Sequence, residues 1–222
     1  MVPVLRLEGV YHRYGDGPKV LVDVNLDVWA GRPIALMGPS GSGKTTLLQV
    51  AGLLTRPSLG TVIVEGDPVP RKGSRRDELR RGRFSWVFQT VNVLGHRTVA
   101  DNVALPLLAR GASRLATRQP VGEALAAVGL ANRANERAVN LSGGELQRVC
   151  IARAIAAQPR CILADEPTGQ LDRSTSTQVL DALWAVLDSH TALVVATHDP
   201  VVAARCDDIA TSSDGRITVS GA

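Results

Sequence analysis

The residues with the clearest chemistry stand together as Gly38-Pro39-Ser40-Gly41-Ser42-Gly43-Lys44-Thr45. They fit the pattern G-x-x-x-x-G-K-S/T. Before them runs a continuous apolar stretch, Ile34-Ala35-Leu36-Met37, and after them a helical stretch from Lys44 to Leu53. Glycines let a backbone wrap so tightly that several N–H groups converge on phosphate oxygens. The start of the following helix adds about half a positive charge aimed at the same place. Lys44 is suited to neutralise β- and γ-phosphates, the Thr45 hydroxyl to ligate Mg²⁺, and Thr46 completes the contact run. The chemistry is the binding of a nucleoside triphosphate, ATP, with Mg²⁺.

A second candidate is Arg160-Cys161-Ile162-Leu163-Ala164-Asp165-Glu166-Pro167, an apolar strand ending in two acids. In phosphoryl transfer one acid holds the metal and another polarises the attacking water. Asp165 suits Mg²⁺, and Glu166 suits the general base. A third candidate is Leu141-Ser142-Gly143-Gly144-Glu145, followed by Leu146-Gln147-Arg148. Two readings stand side by side here. Ser142 and Glu145 make a capping box on an ordinary helix with Leu146, Val149, Cys150 and Ala154 on its apolar face. Alternatively, the free N–H groups, the helix dipole and the Ser142 hydroxyl make a second anion site.

Such groups need a scaffold of strands and helices. From Val20 to Val28 the even positions are all apolar, which predicts a strand with one wet face in an antiparallel sheet. Thr61-Val62-Ile63-Val64 reads as another strand, closed by a turn at Gly66-Asp67. Cys161 to Ala164 and Leu193 to Thr197 read as buried strands. The helix between them, Ser174 to Ser189, carries Val179, Leu180, Leu183, Val186 and Leu187 at helical spacing. A hairpin turning at Asp214-Gly215 ends the chain. This alternation implies an α/β core with parallel strands. The stretch from Thr98 to Ala157 is rich in Ala and Leu and reads as an inserted helical lobe, punctuated by Pro120 and Gly129.

The chain has 222 residues, enough for one well-filled domain with a smaller lobe. No apolar run reaches about 18 residues, so no membrane-crossing helix is expected. The N-terminus lacks the layout of a signal peptide, which places the chain in the cytosol unless a partner holds it elsewhere. Much of the net charge of +4 sits in Arg71 to Arg83. That stretch reads as a solvated, mostly helical connection, or as a contact for acidic headgroups or an acidic partner loop. Nucleic acid is not expected, because Phe84 and Trp86 sit in an apolar strand pattern rather than among the arginines. Cys150, Cys161 and Cys206 lie in apolar contexts and read as buried reduced thiols. His12, His96 and His190 read as surface residues.

The three motifs, in this order, resemble the ATP-binding subunits of ABC transporters over essentially the whole chain. The resemblance implies a P-loop NTPase core of ABC type with an N-terminal antiparallel β part. The RecA-like and β parts fall at about 1–90 and 158–222 and the helical lobe at about 91–157. Gln89 looks like the glutamine that touches Mg²⁺ and the attacking water, and His198 like the switch histidine that contacts the γ-phosphate. Tyr14 looks like the ring that stacks on adenine and Asp172, in Gly169-Gln170-Leu171-Asp172, like the aspartate that communicates across a dimer. Tyr11 is the poorer candidate for the ring, because it precedes Arg13-Tyr14-Gly15. Ala35 to Gly43, Val87-Phe88-Gln89, Asn102 to Leu108 and Glu166-Pro167-Thr168-Gly169 are most similar to the group serving lipoprotein release, macrolide export and cell division.

By this resemblance two copies enclose two ATP molecules, each bound by the loop of one copy and Ser142, Gly143 and Gly144 of the other. The pair drives an integral-membrane permease, a separate chain, from the inner face of the cell membrane. The chain departs from the group at Gly95-His96-Arg97, Ala138, Leu146 and Gln170. The alternatives are an ABC ATPase acting on nucleic acid or ribosomes, and a regulatory subunit that binds ATP without hydrolysis. Glu166 and His198 argue against the second, and a single set of motifs with a compact helical lobe against the first.

Overall fold

The computed structural model describes residues 2–221 except 170, 186, 188 and 189. Gln170, Val186 and Ser189, which figure in the motif and helix above, lie outside the described residues. The chain folds into two compact units. One comprises Met1–Phe84, Arg160–Glu166 and Leu187–Ala222, the other Ser85–Pro159 and Pro167–Val186. Among the described residues no helix is long and apolar enough to cross a membrane.

In the first unit, β1 (Leu5–Arg13), β2 (Lys19–Val28), β3 (Ile34–Met37), α1 (Lys44–Ala51), β4 (Leu59–Val64), β5 (Asp67–Pro68) and α2 (Ser74–Arg83) follow in order. An antiparallel sheet takes the order β2-β1-β4-β5. The even-position reading of β2 holds only for its second half. Val24, Leu26 and Val28 are buried, but Leu21 rather than Val20 or Val22 faces inward before them. The register against β1 slips between these halves, and Asp23 takes φ 54°. One extra residue in a bulge exchanges the faces of a strand. α1 also stops short of Leu53: the Gly52 N–H closes on the Leu48 carbonyl, and Leu53 turns left-handed at φ 61°.

α2 is helical as the basic stretch implied, yet its arginines are not all solvated. Arg76 is buried and donates to the Thr55 carbonyl at 2.8 Å. Arg71 donates to the Pro57 and Ser58 carbonyls. Arg83 and Arg160 share the Glu65 carboxylate, at 2.9 and 2.7 Å. His12 is buried rather than on the surface, and its Nδ1 lies 3.0 Å from the Arg56 carbonyl.

The second sheet of this unit carries the candidate residues of the phosphate loop and the acid pair. After β6 (Phe84–Val87), where the chain passes to the other unit, come β7 (Cys161–Asp165), β8 (Ala192–Ala196), α7 (Pro200–Ala203), β9 (Asp208–Ser213) and β10 (Arg216–Gly221). β9, β3, β8 and β7 lie side by side and parallel, and β10 closes one edge as an antiparallel hairpin. Asp214 and Gly215 both take positive φ, as a tight hairpin turn needs. Cys161, Ile162, Leu163 and Ala192 to Ala196 are all buried. Burial on both faces is what a continuous apolar strand buys in a parallel sheet. The three cysteines are free and buried, and burial pushes the Cys161 thiol up to about 12.

The second unit holds α3 (Val99–Ala109), α4 (Arg114–Ala127), α5 (Gly143–Ala156) and α6 (Arg173–Trp184). Thr98, Ser113, Ser142 and Asp172 cap their N-termini. Pro120 does not punctuate but lies inside α4, and Pro106 lies inside α3. Each forfeits one backbone bond. Burial of Thr117, Val121, Ala124 and Leu125 on one face of α4 outweighs that loss.

Asn102, fully buried on α3, fastens the segment before it. Its amide accepts from Leu94 N–H at 2.7 Å and donates to the Leu94 and Thr98 carbonyls. Replacement by leucine strands those backbone groups. Asn102→Leu should destabilise the protein by about 2 kcal/mol, the cost of buried unsatisfied polar groups, read as a lowered urea midpoint at unchanged slope.

Candidate active site

The parallel register brings the candidate residues of the first unit to one edge of the sheet. β3 ends at Met37 and releases the glycine-rich loop into α1. β8 lies beside β3, and the Thr197 N–H donates to the Leu36 carbonyl at 3.1 Å. β7 lies beside β8, and the Glu166 N–H donates to the Ala196 carbonyl at 2.9 Å. The loop, His198 and the pair Asp165-Glu166 therefore leave neighbouring strand ends, the edge where open α/β sheets bind ligands.

Within the loop, Gly38 has φ 148°, and a Cβ there would stand 2.5 Å from the Ser212 carbonyl oxygen. Only glycine fits. Pro39, Ser40 and Gly41 are exposed at the tip, and Ser42 N–H closes the turn on the Pro39 carbonyl. Gly43 is the N-cap of α1, so the N–H groups of the first helical turn, from Lys44 on, have no intrahelical acceptor. Lys44 Nζ lies along the loop, donating to the Gly38 and Pro39 carbonyls at 2.7 and 3.0 Å.

The Thr45 side chain lies near enough to the Asp165 carboxylate to lower its pKa. Desolvation pushes that carboxyl above the usual range, Thr45 opposes that, neighbouring Glu166 adds to it, and Lys44 opposes it. A hard divalent cation takes one or two carboxylates and hydroxyl oxygens beside substrate phosphates, so this donor pair fits Mg²⁺. Glu166 takes φ 46° and receives His198 Nδ1 on its Oε1 at 2.9 Å. The hydrogen bond to Glu166, then the charge of that carboxylate, raises the His198 pKa above the ordinary histidine value.

Tyr14 presents a half-exposed ring beside α1, its hydroxyl 3.1 Å from Thr46 Oγ1 and 3.0 Å from Gln49 Oε1. His12 meets it edge-on at 4.6 Å. Tyr11 instead has Lys19 Nζ over its ring.

The remaining candidates belong to the second unit. Gln89 is exposed in the bend after β6. Ser142 caps α5 in a full capping box: its hydroxyl accepts from the Glu145 N–H, and the Glu145 carboxylate accepts from the Ser142 N–H. Gly143 and Gly144 follow, and a Cβ on Gly144 would stand 2.4 Å from Thr175 Cγ2. Asp172 accepts from the backbone and hydroxyls of Ser174 and Thr175, which pull its carboxyl well below the usual range.

A family model described as "ABC transporter" matches residues 21–169. The chain belongs to the ABC transporter family. It is 44% identical to the lipoprotein-releasing system ATP-binding protein LolD of Bordetella pertussis, over 97% of this chain and 95% of that protein. It is 42% identical to the macrolide export ATP-binding/permease protein MacB 1/2 of Paracoccus denitrificans, over 97% of this chain but 33% of that protein. Among solved structures it resembles an ATP-binding cassette in a dimeric post-hydrolysis state bound to ADP and Pi. That likeness has a TM-score of 0.86 and 34% identity, and covers 98% of each chain. The ABC fold read from the sequence is thus the fold the protein has.

Two polar residues of this ABC cassette escaped the sequence reading. Gln147 is buried on α5 and donates to the Phe88 and Pro167 carbonyls. The signal was a lone amide on an apolar helix face. Ser212 is buried on β9 and donates to the Ser42 carbonyl. Its signal was a hydroxyl at an inward strand position.

The Glu166–His198 pair has a measurable signature. Because the folded pKa of His198 is raised, the pair stabilises the fold fully below the ordinary histidine pKa and fades as pH rises through the folded value. In an NMR titration His198 should show a midpoint above the ordinary value, and Glu166→Gln should bring it back down. A midpoint unmoved by Glu166→Gln would show that the imidazole does not sense that carboxylate.

Proposed function

We propose that this ABC cassette binds ATP through Gly38 to Thr46 and hydrolyses it with Glu166 as general base. The observation that carries the reading is the convergence of Lys44, the neighbouring Thr45 and Asp165, and the Glu166–His198 pair at adjacent strand ends. The loop N–H groups and Lys44 hold the β- and γ-phosphates, and Tyr14 stacks on adenine. Thr45, Asp165 and Gln89 hold Mg²⁺, which when bound neutralises charge developing on the phosphoryl oxygens.

Glu166 takes a proton from water as the water oxygen bonds to the γ-phosphorus and the bond to the ADP oxygen breaks. His198 keeps Glu166 in place through Nδ1 and reaches the γ-phosphate with its other edge. Gln89 couples this site to the membrane partner, and Asp172 links the two copies of the cassette. A second copy supplies Ser142, Gly143 and Gly144, and the N–H groups of the two glycines and the helix dipole face the same phosphate. The dimeric cassettes among the solved relatives support that arrangement.

The cassette drives a separate integral-membrane permease and sits at the inner face of the membrane. Relatives named for lipoprotein release and macrolide export support an export or mechanical-transmission role over action on nucleic acid or ribosomes.

Glu166→Gln should keep ATP affinity but slow turnover by a factor on the order of 10² or more, as loss of a general base does. Near-normal phosphate release by that variant would remove Glu166 from the chemistry. Ser142→Arg should abolish hydrolysis while each monomer still binds ATP. Unchanged activity of the purified dimer would rule out a shared site.

A further inference from the structure

β9 alternates strictly at its end: Ala210 and Ser212 are fully buried, Thr211 and Ser213 exposed. The parallel register sets Met37 of β3 opposite Thr211, so the next residue of β9 meets the start of the phosphate loop. Ser212 touches the loop twice. Its carbonyl closes on the bare α-carbon of Gly38, and its hydroxyl donates to the Ser42 carbonyl at 2.7 Å, across 170 positions of sequence. Alanine fills the equivalent inward position at 210, so burial alone does not call for a hydroxyl at 212.

The Ser42 carbonyl and the Gly43 N–H belong to one planar trans peptide and point in opposite directions. A donor that fixes the carbonyl therefore fixes the aim of the Gly43 N–H, which stands at the head of α1 beside Lys44. We propose that Ser212 is a positioning residue for phosphate binding, holding the Ser42–Gly43 peptide so that its N–H faces the nucleotide phosphates. This rests on the reading of Gly38 to Thr46 as the phosphate site.

The test compares full-length chains by ATP titration, steady-state hydrolysis and thermal melting. Ser212→Ala should weaken binding of ATP and of inorganic pyrophosphate about fivefold to tenfold, the value of one buried hydrogen bond. KM should rise by the same factor, with kcat at saturation within about twofold, the pattern of lost uniform binding. Ser213→Ala, on the exposed face of the same strand, should leave all of these unchanged. Ser212→Thr keeps the hydroxyl and should return KM toward the wild-type value even where its added methyl lowers Tm. An alanine variant with lowered Tm but unchanged affinity overturns the proposal, as does a threonine variant with KM as high as that of alanine. Lys44→Ala separates the two levels. If it leaves ATP affinity intact, the reading of the loop fails; if it abolishes binding while Ser212→Ala does not matter, only the positioning role fails.

Discussion

Two backbone hydrogen bonds at the carboxyl ends of parallel strands hold the site in register. Thr197 N–H to the Leu36 carbonyl joins β8 to β3, and Glu166 N–H to the Ala196 carbonyl joins β7 to β8. Both lie just past the last residue of a strand, so pairing continues into the segments that carry His198 and Glu166. Neighbouring strands are about 4.8 Å apart. Side chains leaving them meet at hydrogen-bond distance only when the strand ends lie level. A one-residue slip of β8 would exchange its two buried faces and carry His198 off the Glu166 carboxylate. The buried faces of β7 and β8 forbid that slip, because every residue from Ala192 to Ala196 would have to find a new cavity.

That rigidity holds groups that would otherwise separate. Glu166 is left-handed at φ 46°, which costs a non-glycine residue about 1–2 kcal/mol. Its charge also adds to the desolvation that raises the pKa of adjacent Asp165. Strain and like charge thus gather at one strand end. Partners offset them locally: His198 on Glu166, Thr45 on Asp165, and Lys44 close enough to act on Asp165. On the proposed reading, binding a phosphate and a cation here would be an exchange of partners more than a rearrangement of backbone, since the strands that aim the groups are already paired.

What could be read from the sequence was what depends on neighbours in sequence. The loop from Gly38 to Thr45, the strand run ending at Asp165 and the cap at Ser142 are local patterns, and each lies on the element its pattern implied. What could not be read depends on distant partners. Arg76 looks like one more cation in a basic run until the Thr55 carbonyl is found above it. The face exchange in β2 turns on the conformation of Asp23, which no periodicity shows. His12 is intermediate: it shares the phase of Val10 beyond the kink at Gly9, where φ is 54°, so alternation restarted at that glycine would have placed it inside.

The two readings of the Ser142 segment overlap at Ser142 itself, whose N–H and hydroxyl both engage Glu145. The capping box consumes the Ser142 hydroxyl, the Glu145 N–H and the Ser142 N–H. Arg133 then anchors the far oxygen of Glu145 at 3.1 Å, fixing the carboxylate to its task. The N–H groups of Gly143 and Gly144 stand outside the box and, as the first of the helix, have no intrahelical acceptor. Glycine at 144 is required by packing against Thr175, and it also leaves that N–H without a side chain to cover it. For the proposed anion site a well-capped helix would serve better than a frayed one, since the cap holds still the turn that carries the remaining N–H groups. The capping box thus occupies Ser142, and the anion site proposed above is left to the N–H groups of Gly143 and Gly144.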